Sequence, residues 1–331
     1  MDVLVIGGTL FIGRRLVGEL LKAGHKVTIL HRTPGHNLGR RVGEIIADRN
    51  DPIQLRQALA GKSFEVVFDN AYDWQRGTVG FQVESSARAC SGDRLRRYVF
   101  MSSVAAYGDG LNHHEGDALA PDDHADAYVR NKAMSERVLF RLHQRSGLPV
   151  VTIRPPFVYG PGNPYYREAF FWDRLRDKRP ILMPGDGRRL MQFAYVKDVV
   201  WACLRAMEEP AAVGHAFNIA NPRPVTQTEA VDAFALAAGK KAQFVRVPRA
   251  SILRAGGHPM GPQLYFGYYF DLLPITQVVS KAQRVLGLKP TDFAKGLEET
   301  YRWHQRHRDH TSIDYSFEDR LMCLYAMAAT S

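Results

Sequence analysis

Tyr128 and Lys132 stand four residues apart. On a helix that spacing puts them on one face, a turn apart. An ammonium beside a phenol favours the phenolate and draws the tyrosine pKa toward neutrality. Such a tyrosine is a general acid and base for a carbinol or a carbonyl. Upstream, Met101-Ser102-Ser103 closes a strand-like run. The Ser103 hydroxyl is placed there to hydrogen-bond the reacting oxygen.

A second constellation is Gly7-Gly8-Thr9-Leu10-Phe11-Ile12-Gly13, between a β-branched run and a helix-like one. Gly7 can take a tight strand-to-helix turn, and its missing side chain lets backbone approach a pyrophosphate. The helix start supplies N–H groups and positive dipole, and Gly13 permits close helix–strand packing. No Gly-Lys-Ser/Thr follows, which excludes a P-loop. The next strand ends in Leu30-His31-Arg32, where an acid would take the ribose hydroxyls of NAD. With His31 and Arg32 there, a guanidinium can pair a 2′-phosphate, so NADP(H) is expected over NAD. Asp48 is placed to touch the adenine edge.

The elements that must position these residues alternate. Strand-like runs at Asp2–Ile6, Lys26–Leu30, Phe64–Phe68, Arg97–Met101 and Val150–Ile153 are interleaved with helical patterns at Phe11–Ala23, Thr78–Cys90 and Asp126–Ser146. This predicts an α/β fold with a Rossmann-type, doubly wound parallel sheet that binds ligand beyond its carboxyl ends. Pro155, Pro156, Gly160, Pro161, Gly162 and Pro164 then mark loops and a change of subdomain. The expected division is a dinucleotide-binding domain over 1–160, its sheet completed by roughly 193–220. A smaller C-terminal α/β substrate lobe follows over 161–310, then a tail over 311–331 packed on the body.

The 331 residues are 45% hydrophobic and 24% charged, which excludes a mostly disordered chain. Without a long apolar run or a basic leader before the first strand, no membrane association is expected. Three cysteines without metal-type spacing fit a reduced, cytoplasmic setting. The net charge of +10 is dispersed, so anionic small molecules and weak polyanion binding are expected rather than specific nucleic-acid recognition.

Taken together, the chain resembles an extended short-chain dehydrogenase/reductase of the NAD-dependent epimerase/dehydratase family. The resemblance rests on Gly7–Gly13, Asp48, Phe68-Asp69-Asn70-Ala71, Ser103 with Tyr107-Gly108, Tyr128/Lys132, Arg154-Pro155 through Gly162, Val196–Asp198, Phe217-Asn218-Ile219 and Ser280-Lys281-Ala282 with Leu286 to Pro290. It implies hydride transfer to or from a nicotinamide, with Tyr128 as acid/base and Ser103 orienting the substrate oxygen. Lys132 would lower the tyrosine pKa and hold the nicotinamide ribose. Asn70 and Ala71 would line the cofactor path through backbone groups, and Pro155 to Val158 would flank the nicotinamide. It also implies a homodimer through helices 78–90 and 126–146.

The implied substrate is a nucleotide sugar or a related carbonyl or polyol, with epimerisation first and NADPH-dependent ketone or aldehyde reduction as the alternative. Val104 and Ala105 replace the acidic pair that follows the serine in sugar 4,6-dehydratases, which argues against dehydration. Leu10 replaces the usual middle glycine, as in the subgroup that includes chloroplast stem-loop RNA-binding proteins. An RNA-binding protein on the same fold, or a redox-sensing regulator, is therefore a rival. Met191 stands where related epimerases carry a diphosphate-binding arginine, and Arg189 is its nearby substitute. Tyr72 and Tyr166 are further substrate-side candidates, and Trp74 offers a stacking face. The loop holding His113, His114, Glu115 and Asp117 has ligand types but no metal spacing, so no metal is expected.

Overall fold

A computed structural model describes residues 1–308 and 312–328, the last three by backbone alone. Seven strands form one parallel sheet. β1 (Asp2–Ile6) pairs on one side with β2 (Lys26–His31), and β2 pairs with β3 (Val42–Ile46). On its other side β1 pairs with β4 (Val66–Asp69). β5 (Arg97–Met101), Val150–Arg154 and His215–Asn218 then follow in turn. The order reverses between β1 and β4, so the crevice at their carboxyl ends is the topological switch point where such sheets take ligands.

Strands buried on both faces read as continuous apolar runs. Val3, Leu4, Val5 and Ile6 are fully buried, as are Val150, Val151 and Ile153. α1 (Phe11–Lys22) buries Leu16, Val17 and Leu20. α2 (Pro52–Leu59), α3 (Gly80–Cys90) and α4 (Ala127–Ser146) share a core with Leu4, Ile6, Val67, Tyr98 and Phe100. α2 begins where Asp51 accepts the Ile53 and Gln54 amides and Pro52 takes the first helical position. α4 starts on the Asp126 cap and stops at Gly147 in the left-handed region.

The chain forms two units, each built from three segments. The first comprises 1–158, 193–222 and 275–290, and the second 159–192, 223–274 and 291–331. The stretch 275–290, expected within the lobe, belongs to the first unit. Strand Ile275–Gln277 pairs with Gly110–His113, and the Asn218 amide donates to the carbonyls of His113 (3.0 Å) and Val278 (3.1 Å). In the second unit, the helix Glu168–Arg176 follows the turns of the segment 160–167.

Within the tail, Ser316–Ala328 is a helix. Glu318 accepts from Nε of Arg174 at 3.0 Å, and both side chains are buried. Residue 311, the start of the expected tail, and 329–331 lie outside the described residues. No described helix is long and apolar enough to cross a membrane.

Candidate active site

Gly7 follows β1 with φ +83°, a conformation that favours glycine. A Cβ there would stand 3.0 Å from Ala71, which opens the segment after β4. A Cβ on Gly13 would be driven into the Gly7 carbonyl oxygen. Asn70 holds this bend, its amide nitrogen donating to the Gly7 carbonyl at 3.3 Å. Among the described residues no side chain caps α1, and its first turn holds no acid. The start of α1 is thus a backbone cradle carrying positive dipole, suited to a diphosphate. Phe11 takes φ +39°, a strained value for a bulky residue of the kind found where a turn serves a ligand. Thr9 is half-buried, as are Phe11 and Ile12, and the Leu10 side chain is exposed.

Beyond the cradle lies a charged cluster. Arg32 donates to Asp73 at 2.8 Å. Arg76 donates to Asp73 at 2.8 Å and to Asp48 at 2.6 Å. Burial alone would raise the Asp73 carboxyl. The Arg76 and Gln75 amides, the Arg76 guanidinium and the Arg32 charge overcome it and hold the carboxyl at about 2. Arg32, expected to be a free phosphate ligand, is therefore aligned by a carboxylate, yet its side chain remains 56% exposed. His31 pairs with Glu44 at 2.7 Å and does not join this cluster.

The expected catalytic residues gather at the end of β5. Lys132 donates to the Met101 carbonyl at 2.7 Å. Ser103 lies two residues on, its Oγ accepting the Ala105 amide at 3.2 Å. The Lys132 ammonium lies 4.9 Å from the Phe100 ring, 5.3 Å from Tyr72 and 5.7 Å from Tyr128. Burial pushes Lys132 down to about 8, against the pull of Asp69 and Glu136. The Tyr128 ring stacks on Trp74 at 4.9 Å and meets Tyr72 edge-on at 4.9 Å. Tyr72 accepts from the Asn131 amide at 3.1 Å, and burial raises its phenol. The Pro155 carbonyl takes the Val104 amide at 3.0 Å, and Val158 is buried.

Behind these residues lies a further layer, in which Glu136 escaped the sequence while Tyr107, Arg154 and Asn218 belong to the motifs of the resemblance. Glu136 lies one further turn along the Tyr128–Lys132 face. It takes Nε and Nη2 of Arg154 at 2.8 and 2.6 Å, and the Ser102 hydroxyl at 2.5 Å. Arg154 also donates to Tyr107 Oη at 2.7 Å, which donates to Asn218 at 2.8 Å. The i, i+4, i+8 spacing was the available signal for Glu136. Asp73 and Arg76 show an i, i+3 signal of the same kind.

Two substrate-side candidates lie in the second unit with their polar groups engaged. Tyr166 donates to Asp173 at 2.8 Å. Arg189 donates to the Asp271 carbonyl and carboxylate at 2.9 and 3.3 Å. In the histidine-rich loop, His113 stacks on Tyr107 at 4.4 Å and Glu115 accepts the Asn218 amide at 3.0 Å. Among the described residues no three His, Cys, Asp or Glu side chains gather as a metal site.

The reversal in strand order and the glycine cradle define an α/β protein of the dinucleotide-binding class. Residues 3–220 match the model of the NAD dependent epimerase/dehydratase family, and the chain belongs to that family. Among curated relatives, it is 30% identical over 320 residues to the chloroplast stem-loop binding protein of 41 kDa b of Arabidopsis thaliana, covering 90% of this chain and 78% of that one. It is 27% identical over 260 residues to 2-alkyl-3-oxoalkanoate reductase of Stenotrophomonas maltophilia, covering 72% and 76%. The solved UDP-glucuronic acid 4-epimerase of Bacillus cereus, in complex with UDP-glucuronic acid and NAD, matches with TM-score 0.73 at 21% identity. That match covers 92% of this chain and 99% of that one.

Proposed function

We propose that this protein is a nicotinamide-dependent epimerase or oxidoreductase acting on a nucleotide sugar or a related carbonyl or polyol. The observation that carries it is the shared end of the sheet. The cradle at Gly7–Gly13 and the Ser103/Tyr128/Lys132 group both lie beyond strand carboxyl ends, where this fold takes its ligands.

The cradle fits the implied cofactor. Gly7, Thr9 to Gly13, Asn70 and Ala71 would hold the diphosphate, Asp48 the adenosine end, and Pro155 and Val158 would flank the nicotinamide. When bound, the nicotinamide supplies or takes the hydride. Tyr128 gives a proton to, or takes one from, the substrate oxygen. Ser103, whose Oγ accepts one amide, keeps its hydroxyl proton to orient that oxygen. The Lys132 ammonium favours the phenolate of Tyr128. Tyr72 supplies substrate contact. Tyr128→Phe should cut turnover about 10²–10⁴-fold, the usual worth of a positioned acid/base, with cofactor affinity preserved. Unchanged turnover in that variant would overturn the assignment.

NADP(H) is the preferred cofactor in this reading, because the guanidinium of Arg32 is both aligned and exposed. Fluorescence titration should give tighter binding for NADP+ than for NAD+, and Arg32→Ala should close that gap. Tightly retained cofactor in purified protein favours epimerisation, and free exchange favours the reductase alternative. Assembly as a homodimer through α3 and α4 is supported by Phe81, 65% exposed on α3. Light scattering should give about twice the 37.3 kDa chain mass, and Phe81→Glu should return the monomer.

A further inference from the structure

Beneath the site lies a buried charge pair that the proposed chemistry does not use. Arg49 follows Asp48 after β3, and Asp69 is the last residue of β4. Their side chains are ion-paired and 6% and 0% exposed. Asp69 Oδ2 also accepts the Tyr98 hydroxyl at 2.8 Å. Nε and Nη1 of Arg49, and Oδ1 of Asp69, meet no partner among the described residues. A pair buried this deeply and satisfied this poorly is a weak source of stability, and its position suggests another use.

The register supplies that use. Asp69 lies directly across from Phe100 in the β4–β5 ladder, so both side chains leave the same face. The Lys132 ammonium sits 4.9 Å over the Phe100 ring on that face and is anchored to the next carbonyl, Met101. Lys132 itself is 5% exposed. A buried ammonium bonded to one neutral carbonyl needs an anion within reach to keep its proton. We propose that Asp69 is the buried counter-ion of the Lys132 ammonium, and that Arg49, by sharing the same carboxylate, sets how strongly Asp69 acts.

The other charges around Lys132 fit this arrangement. Glu136 acts in the same sense as Asp69, but its carboxylate is largely committed to Arg154, Ser102 and Thr152. Tyr98 and Cys90 border Asp69 as neutral groups, since burial and the Asp69 charge both hold their protons on. Tyr72 and Tyr128 present ring faces to the ammonium. Asp69 is thus a positioning residue acting through Lys132. Its bearing on Tyr128 rests on the function proposed above, while its action on Lys132 does not.

The test reads Lys132 directly, as the pH titration of its 13Cε resonance in the full chain, assigned with Lys132→Arg. The wild-type midpoint is expected at about 8. Asp69→Asn should lower it by about one pH unit or more, the usual effect of a close charge. Arg49→Met should raise it, because the carboxylate then faces the lysine alone. Both single variants break the same ion pair, so a merely structural role would move the midpoint alike in both or in neither. Either of those results overturns the proposal. Where a single variant does not fold, the neutral Arg49→Met/Asp69→Asn double variant serves, because it leaves neither half of the Arg49–Asp69 pair charged alone. Its midpoint should fall below the wild-type value, and an unmoved or raised midpoint overturns the assignment. Opposite shifts in a protein whose turnover survives Tyr128→Phe would keep the counter-ion and discard the proposed reaction.

Discussion

Glu168 carries a carboxyl that folding does not welcome. The residue is 3% exposed, accepts the Asn163 amide at 3.0 Å on one oxygen, and leaves Oε1 without a hydrogen-bond partner among the described residues. Burial pushes its pKa from 4.5 up to about 7, with Arg167 and Asn163 only partly opposing. The folded state therefore keeps a proton that the unfolded chain releases at lower pH. Ionisation works against folding, and stability should fall as pH climbs from about 4.5 to about 7, then level off. The full effect is on the order of 3 kcal/mol. Glu168→Gln keeps the acceptor and removes the charge. Thermal unfolding at pH 8 should show the variant more stable by roughly 5–10 °C, with little difference at pH 4. Equal melting curves for the two proteins at pH 8 would mean the wild-type carboxylate finds a partner. Tyr166 and Arg189 make a related point at the same scale. Their types suit a substrate, yet Asp173 and Asp271 occupy their polar ends, and no reading of single residues could foresee those acids.

At the scale of elements, the bend from β1 into α1 depends on two contacts between backbones. A Cβ on Gly13 meets the Gly7 carbonyl, and one on Gly7 meets Ala71. Neither obstacle is a side chain that can swing aside. Gly13→Ala should therefore cost about 1–3 kcal/mol, as overpacking of a tight site does. It should also abolish retention of the dinucleotide, since the helix start must shift off the bend. Gly18→Ala, on the same helix with open space around its Cβ, is the control and should leave both properties intact. Calorimetric unfolding together with cofactor content after purification checks the pair.

The bend and the Tyr128–Lys132 face could be read in the sequence because both are local, one set by adjacent glycines and the other by one helical turn. The α2 helix and the β3 strand are not legible in this way, because both are short and only β3's partner β2 identifies it as a strand. The Arg49–Asp69 pair and the chain from Glu136 through Arg154 and Tyr107 to Asn218 join segments far apart in sequence. Their logic exists only once the strand order is known. Arg154 and Asn218 were visible as motif members, and the sheet supplies the reason that they serve.

For the whole molecule, the net charge of +10 makes RNA the polyanion against which the proposed function is tested. Several of the basic side chains are matched in short-range pairs. Arg88 pairs with Glu84, Arg94 with Asp2, Arg137 with Asp122, Arg176 with Asp177 and Arg223 with Glu229. Cations already matched by carboxylates release few counterions when they meet a phosphate backbone. Binding built on them should be weak, with only a shallow dependence on salt. Filter binding to a stem-loop RNA should accordingly show micromolar or poorer affinity at 150 mM salt, with little preference over a scrambled loop. A nicotinamide dinucleotide should not displace RNA held by dispersed charge, because such contacts do not need the cradle. Sequence-preferring binding that persists at 150 mM salt and is displaced by NADP+ would place RNA at the glycine turn itself. In that event the exposed Leu10 at the start of α1 becomes the residue to change next, and Leu10→Gly should weaken the RNA complex while leaving the dinucleotide bound.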